Sequence, residues 1–148
     1  MPVLDVAKYV LNHAGGMTTM KLEKLVYYCQ AWSLAWDGMP LFQEDFQAWA
    51  NGPVCPELFN THKGRFWLNK DYYDNQPEYH FTPEQIETMD AVLRGYADKE
   101  PQYLSELTHQ ERPWKQTRAG IAPGAYCDKV IDKELMQDYY GGISNAEG

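Results

Sequence analysis

The spacing of apolar residues in the first quarter of the chain predicts two helices. One face of the first predicted helix carries Val3, Val6, Tyr9, Val10 and His13. These positions repeat with the period of an α-helix, and Gly15-Gly16 ends the pattern. The second helix is expected to begin at Thr18 or Thr19, either of which can cap it, and to end at Asp37-Gly38.

The second predicted helix is apolar around much of its circumference. One stripe consists of Leu22, Leu25, Val26, Cys29, Trp32 and Trp36. A second stripe beside it consists of Tyr27, Ala31, Leu34 and Ala35. Such a helix is usually central to its domain, so we expect Trp32 and Trp36 to belong to the core. Glu23 falls in the first turn, where a carboxylate suits the positive end of the helix dipole.

The segment after this helix is too interrupted for another long helix. Residues 46–49 alternate between apolar and polar side chains, which indicates one short strand. Asn51-Gly52-Pro53 is a turn signal, and Pro56 suits the first position of a helix that runs to about His62. Residues 65–81 are aromatic without a clear period, and we interpret them as a long loop or a short hairpin.

Four further helix starts and one helix end are marked by local signals in the second half. Thr82-Pro83-Glu84-Gln85 combines a capping box with proline at the first helical position. The helix that begins there is expected to direct inward Ile86, Met89, Leu93, Tyr96 and Ala97. Pro101 starts another helix, whose expected inward residues are Tyr103, Leu104 and Leu107. Pro113 starts a short helix carrying Trp114 and Arg118. Asp132 caps a last helix, with Leu135, Met136, Tyr139 and Tyr140, which is expected to end at Gly141-Gly142.

These elements predict a mainly α fold, a single compact domain of six or seven helices with at most a few short strands. The domain is expected to span residues 1–148, with a short flexible tail from about residue 141.

Composition and charge narrow the class of protein. Aromatic residues make up 14% of the chain, which is typical of a folded domain. The formal net charge of −8 disfavours direct contact with nucleic acid and suits a basic protein partner. Cys29, Cys55 and Cys127 lack Cys-x-x-Cys spacing, so we expect buried free thiols and a reducing, cytoplasmic location. No apolar run predicts membrane insertion.

His109 and Glu111 are the one pair of residues that suggests catalysis. The spacing His-x-Glu occurs in zinc deaminases, but no Pro-Cys-x-x-Cys follows, and the other histidines lack metal-ligand spacing. A histidine oriented by a carboxylate is also a common acid–base pair. The alternative is structural: Thr108 and His109 would cap one helix, while Glu111 would face Arg118 or the start of the next.

The aromatic residues outside regular periodicity allow two interpretations. Trp49, Trp67, Tyr72 and Tyr73 would either cover the core or form part of a surface that binds a protein partner.

Three motifs carry the most information in the chain: residues 21–32, residues 48–58, and residues 107–114 with Arg118. In this order they resemble the Panacea domain family, which includes GepA-like phage-associated proteins and SocA-like antitoxins. The resemblance covers nearly the whole chain. The family often has a small residue before this arginine, where Thr117 stands here.

The resemblance implies an accessory protein of bacteria or prophages that binds and neutralises a toxin encoded nearby. One branch of the family resembles a proteolytic adaptor that delivers its toxin to an ATP-dependent protease. The resemblance implies no metal, no cofactor and no catalytic residue.

Our hypothesis from the sequence is therefore an antitoxin-like interaction module rather than an enzyme. The candidate partner-binding residues are Trp49, Asn51, Gly52, Pro53, Glu57, His109, Glu111, Trp114 and Arg118. The alternative is an enzyme that acts on a small molecule or nucleotide through His109 and Glu111. A DNA-binding repressor arm is a third class, which the negative charge opposes.

Overall fold

A computed structural model describes the backbone of residues 2–147 and the side chains of residues 2–144. The elements in that part of the chain are α1 (Pro2–Ala14), β1 (Met17–Thr18), α2 (Thr19–Asp37), β2 (Gln47–Trp49), β3 (Gly52–Val54), α3 (Pro56–His62), β4 (Trp67–Leu68), α4 (Pro83–Tyr96), α5 (Pro101–Gln110), α6 (Arg112–Thr117) and α7 (Lys133–Glu147). Seven helices and only short strand pairs within the described residues confirm the mainly α prediction.

Helix α2 passes through the centre of the molecule. All thirteen residues from Leu22 to Leu34 are buried, and α1, α4, α5 and α7 pack around them. The Thr18 side chain caps the helix by accepting a hydrogen bond from the Lys21 N–H. Gly38 ends it at φ 69°, a left-handed conformation that favours glycine. The predicted central helix and both of its ends are therefore confirmed.

Three aromatic or aliphatic side chains that we expected inside lie at the surface. Trp36 is 46% exposed because it occupies the last turn of α2, where its ring stacks on Trp32 at 4.8 Å instead of entering the core. Tyr103 is also exposed, with the Lys99 ammonium above its ring, and Ile86 lies at the exposed start of α4. Apolar periodicity identified the inward faces but not where packing stops along each helix.

The strands form two small antiparallel pairs. β2 pairs with β3 through the turn at residues 50–51, with Gln47 opposite Val54 and Trp49 opposite Gly52. β1 pairs with β4, so the aromatic segment that we interpreted as a loop or hairpin contributes one short strand and then continues without regular structure. The β2–β3 pair also contacts the segment before α7, where Gln47 forms an isolated antiparallel bridge with Val130.

The helix ends in the second half follow the local signals, with one exception. The Thr82 capping box is present, and the Asp132 side chain accepts a hydrogen bond from the Glu134 N–H at the start of α7. Helix α7 does not end at Gly141-Gly142 but continues to Glu147. Glycine costs only about 1 kcal/mol in a helix, and Ile143 packs against the core beyond the glycines. The flexible tail stays a prediction, and Gly148 lies outside the described residues.

Gln30 ties α2 to the chain that follows it. Its Oε1 accepts a hydrogen bond from the Leu41 N–H at 2.7 Å, and its Nε2 donates to the Phe42 carbonyl at 2.8 Å. Gln30 is 1% exposed, so these backbone groups have no access to water. The side chain therefore replaces a backbone partner for a buried loop.

Replacing Gln30 with Leu should lower the free energy of unfolding by about 2–4 kcal/mol, because it leaves a buried N–H and a buried carbonyl unpaired. Gln43→Leu makes the same chemical change at an exposed position and should change stability by less than about 0.5 kcal/mol. Urea denaturation of both variants measures the difference. Equal stabilities would show that the loop does not depend on Gln30.

Candidate functional site

A cavity of about 560 Å³ opens beside the first half of α2. Its walls come from α2, the β2–β3 hairpin, α3 and the segment 124–127. The lining residues are Thr19, Met20, Glu23, Lys24, Trp49, Ala50, Asn51, Val54, Phe59, His62, Gly124, Tyr126 and Cys127. We call it the α2–α3 cavity. Its volume lies within the range of pockets that hold small molecules.

One wall of the α2–α3 cavity contains a buried carboxylate–imidazole pair. Glu23 Oε2 lies 2.7 Å from His62 Nε2, and both side chains are at most 3% exposed. Glu23 Oε1 also accepts a hydrogen bond from the Cys55 N–H at 3.0 Å, at the first turn of α3. Both carboxylate oxygens of Glu23 are thus engaged. The expectation that Glu23 lies in the first turn is wrong, because α2 begins at Thr19 and its first turn contains no acidic residue. Glu23 instead holds α3 against α2.

Lys24 lies next to this pair and has no acidic partner. Its side chain is 1% exposed, and its ammonium donates one hydrogen bond, to the Pro53 carbonyl at 3.4 Å. Among the described residues, no carboxylate lies within ion-pair distance of it. Burial lowers the pKa of Lys24 to about 8 from the ordinary 10.5.

The Lys24 stem passes directly beneath the hairpin turn. A Cβ at Gly52 would lie 2.4 Å from Lys24 Cε and 2.9 Å from Thr108 Oγ1. Gly52 also has φ 121°, a conformation that side chains rarely adopt. Gly52 is therefore needed for the close approach of the hairpin to α2 and α5.

The Arg118 side chain is surrounded by backbone carbonyls, in a region that we call the Arg118 corner. The guanidinium donates to the carbonyl oxygens of Ala48 at 2.9 Å, Ala122 at 3.0 Å and Ala125 at 2.7 Å. It also lies over the Trp114 ring at 5.0 Å. Arg118 is 3% exposed. Because its acceptors lie in β2 and in the loop after α6, its hydrogen bonds join the hairpin to that loop.

Trp114 links the same corner to His109. Its Nε1 donates to the Trp49 carbonyl at 2.8 Å, and its ring stacks on His109 at 4.0 Å. Burial lowers the pKa of His109, and the nearby charges of Lys24 and Arg118 lower it further. The His109 Nε2 atom is buried without a hydrogen-bond partner.

Glu111 points into the core, away from this corner. Its Oε1 accepts hydrogen bonds from the hydroxyls of Tyr28 at 2.8 Å and Tyr140 at 2.7 Å. The Tyr140 hydroxyl also shares a 3.1 Å contact with that of Tyr27. Burial raises the pKa of Glu111, and the two tyrosine hydroxyls partly oppose that shift. The expectation that Glu111 faces Arg118 or the next helix is wrong.

His109 and Glu111 do not form the acid–base pair that their spacing suggests. Over residues 2–147 the structure shows no hydrogen bond or ion pair between them, because α5 ends between the two and turns their side chains apart. In the same described range, no three His, Cys, Asp or Glu side chains are grouped to hold a metal ion. The three cysteines are buried and free, as predicted.

The nine candidate partner-binding residues fall into two groups. Buried in the structure are Gly52, Pro53, Glu111, Trp114 and Arg118. Exposed or partly exposed are Trp49, Asn51, Glu57 and His109. The hairpin and the Arg118 corner do come together, through Trp114 and Trp49. Their contact with a partner stays a prediction.

Sequence reasoning missed Lys24 and the Glu23–His62 pair. One signal was available: Glu23 lies four residues before Tyr27, and Lys24 lies four residues before Tyr28. Residues four apart share a helix face, so both charges lie on faces that are apolar further along α2. The sequence does not show which groups contact Glu23 and Lys24, because His62 and the Pro53 carbonyl come from distant segments.

Comparison with known families identifies the chain. The family described as "Antitoxin SocA-like, Panacea domain" matches residues 22–115. The match begins in α2 and ends in α6, so it includes the cavity-lining residues from Glu23 to His62 together with His109 and Trp114. Thr19, Met20 and Arg118 lie outside it. The chain belongs to this antitoxin-like family, and the resemblance drawn from the three motifs is confirmed. Comparisons with curated proteins and with solved structures find no match.

No helix within residues 2–147 combines the length and the apolar character that crossing a membrane requires.

Glu111→Gln should fold and be at least as stable as the wild-type protein at pH 7, because its amide oxygen still accepts both tyrosine hydroxyls. The Glu111 carboxyl of the wild-type protein has a higher pKa in the folded state than in the unfolded state, where the pKa is about 4.5. The wild-type protein therefore loses stability as pH rises above about 4.5. The stability advantage of Glu111→Gln should therefore increase from pH 4 upward. Glu111→Ala should lose about 2–4 kcal/mol at pH 4, because it opens a cavity and leaves two buried tyrosine hydroxyls without their acceptor. This loss should shrink as pH rises, because only the wild-type protein contains the carboxyl with the raised pKa. Thermal denaturation between pH 4 and 8 measures both.

Lys24→Met should be as stable as the wild-type protein or more stable at pH 7, because methionine fills similar space without a buried charge. The lysine pKa is lower in the folded state than in the unfolded state, so the wild-type protein gains stability between pH 8 and 10.5. The difference between the two proteins should shrink over that interval. Lys21→Met, at a partly exposed position of α2, is the control. A difference independent of pH would show that Lys24 is not desolvated.

Proposed function

We propose that this protein is an antitoxin that neutralises a partner toxin by direct binding in the cytoplasm. Membership of the antitoxin-like Panacea family supports this function. The net charge of −8 supports a basic partner, since opposite charges accelerate association and fix orientation.

The observation that carries the proposal is a group of aromatic side chains around the N-terminal end of α2. Tyr126 is 81% exposed and lines the α2–α3 cavity, whereas Phe66 is 78% exposed and lines a second depression. The two depressions share Thr19 and Met20, so they are adjacent. Exposed aromatic residues beside concave surface are typical of protein-binding sites.

We call Met20, Trp49, Phe66 and Tyr126 the aromatic surface. Trp49 is only partly exposed, and its ring packs edge-on against Phe59 at 4.9 Å. Asn51 belongs to the same cavity rim, while Glu57 is exposed in the first turn of α3. The proposed toxin contacts are therefore these side chains, with the buried Arg118 corner supporting the hairpin from behind.

Co-expression with the neighbouring open reading frame tests the function. If that frame encodes the toxin, it should arrest growth alone, and this protein should restore growth and co-purify with it. A neighbour that is harmless alone and does not co-purify would contradict the proposal in this form.

Binding alone and delivery to a protease are two routes to neutralisation, and the same cells separate them. Stable toxin in complex with this protein indicates masking of the toxin. Loss of toxin that is reversed in a host lacking the ATP-dependent protease indicates an adaptor.

Phe66→Ala and Tyr126→Ala should each weaken toxin binding by about 30-fold or more if the aromatic surface is the interface. Folding should be unaffected because both side chains are mostly exposed. Met39→Ala is the control: Met39 is 65% exposed but follows the opposite end of α2. Biolayer interferometry with purified toxin measures the affinities. Normal affinity in the double variant Phe66→Ala/Tyr126→Ala would place the interface elsewhere.

A further inference from the structure

The wall of the α2–α3 cavity includes a buried lysine, Lys24, with which no carboxylate in the described part of the chain forms an ion pair. Lys24 is 1% exposed and makes one long hydrogen bond, although an ammonium has three donors. The neighbouring Glu23 is already engaged by His62 and by the Cys55 N–H. A buried ammonium with so few acceptors is unfavourable unless another group reaches it.

The position of Lys24 in its helix adds to the positive potential. Thr19, Met20 and Lys24 line the cavity from the first two turns of α2, which is nineteen residues long. The N-terminal end of a helix carries a partial positive charge, so a cation is poorly placed there and an anion is well placed.

Much of the remaining wall is apolar or aromatic, and its other polar members are Thr19, Glu23, Asn51 and His62. Trp49, Phe59 and Val54 face the cavity from the hairpin and α3, and Met20 faces it from α2. Such walls suit a ligand that is mostly hydrocarbon with one charged group, rather than a fully hydrated ion. The overall charge of −8 repels anions at long range, but salt screens that repulsion beyond about 8 Å.

We propose that the α2–α3 cavity binds a small carboxylic acid, with the carboxylate at Lys24 and its aryl or alkyl group against the packed rings of Trp49 and Phe59. The ligand carboxylate supplies the hydrogen-bond acceptors that the Lys24 ammonium lacks. Transfer of the ligand's apolar group from water to the apolar part of the cavity wall adds favourable free energy. Such an acid would occupy part of the proposed toxin-binding surface. The binding itself does not depend on that function.

The test uses the full chain with 3-phenylpropionate and its neutral analogue 3-phenylpropionamide. Isothermal titration should show that the acid binds about tenfold or more tightly than the amide, because only the acid forms a charge-assisted hydrogen bond with Lys24. The Trp49 indole resonance should shift in the NMR spectrum as the acid is added. Inorganic phosphate at the same concentration should produce no such shift.

Two variants connect the preference to Lys24. Lys24→Met should bind acid and amide equally weakly, whereas Lys21→Met should behave like the wild-type protein. Equal binding of acid and amide by the wild-type protein would overturn the proposal, even if Lys24→Met failed to fold. Phosphate that displaces the acid at equal concentration would also overturn it, as would a preference for the acid that survives in Lys24→Met. Each outcome is measured without toxin, so it leaves the antitoxin function to its own test.

Discussion

The complete burial of residues 22–34 is the constraint on which the rest of the structure depends. A helix enclosed on all sides cannot leave polar side chains to water, so each must find its partner within the protein. Glu23 therefore holds the start of α3, Gln30 holds the loop after α2, and Tyr28 holds the carboxylate that precedes α6. The positions of distant segments follow from hydrogen bonds made by one helix.

Among these buried polar side chains, Lys24 has the weakest hydrogen bonding. Its one long hydrogen bond leaves a buried charge beside a cavity, and the hairpin above it requires glycine at residue 52 to approach so closely. Around the same end of α2 lie the exposed aromatic residues that we propose as toxin contacts. Residual electrostatic cost is often found at functional sites, because binding can remove it.

Much of the fold was predictable because its signals are local. Thr18, Gly38 and the Thr82 capping box mark helix ends through contacts within one turn, and such contacts do not depend on the rest of the chain. The failures occur where packing overrides a local preference. Trp36 lies past the edge of the core, and α7 continues through Gly141-Gly142 because residues beyond them still find packing partners.

The sequence by itself determined the family, the helical class and the central role of α2, since these follow from motif order and apolar periodicity. Only the tertiary structure decided the chemistry of the candidate site. His109 and Glu111, two residues apart, face different surroundings because a helix ends between them. Glu23 and His62, thirty-nine apart, meet in one buried pair. Contacts between distant segments decide that Glu23 has a buried partner and that Lys24 lies beside a cavity without a carboxylate partner. The spacing of residues along the chain does not predict such contacts.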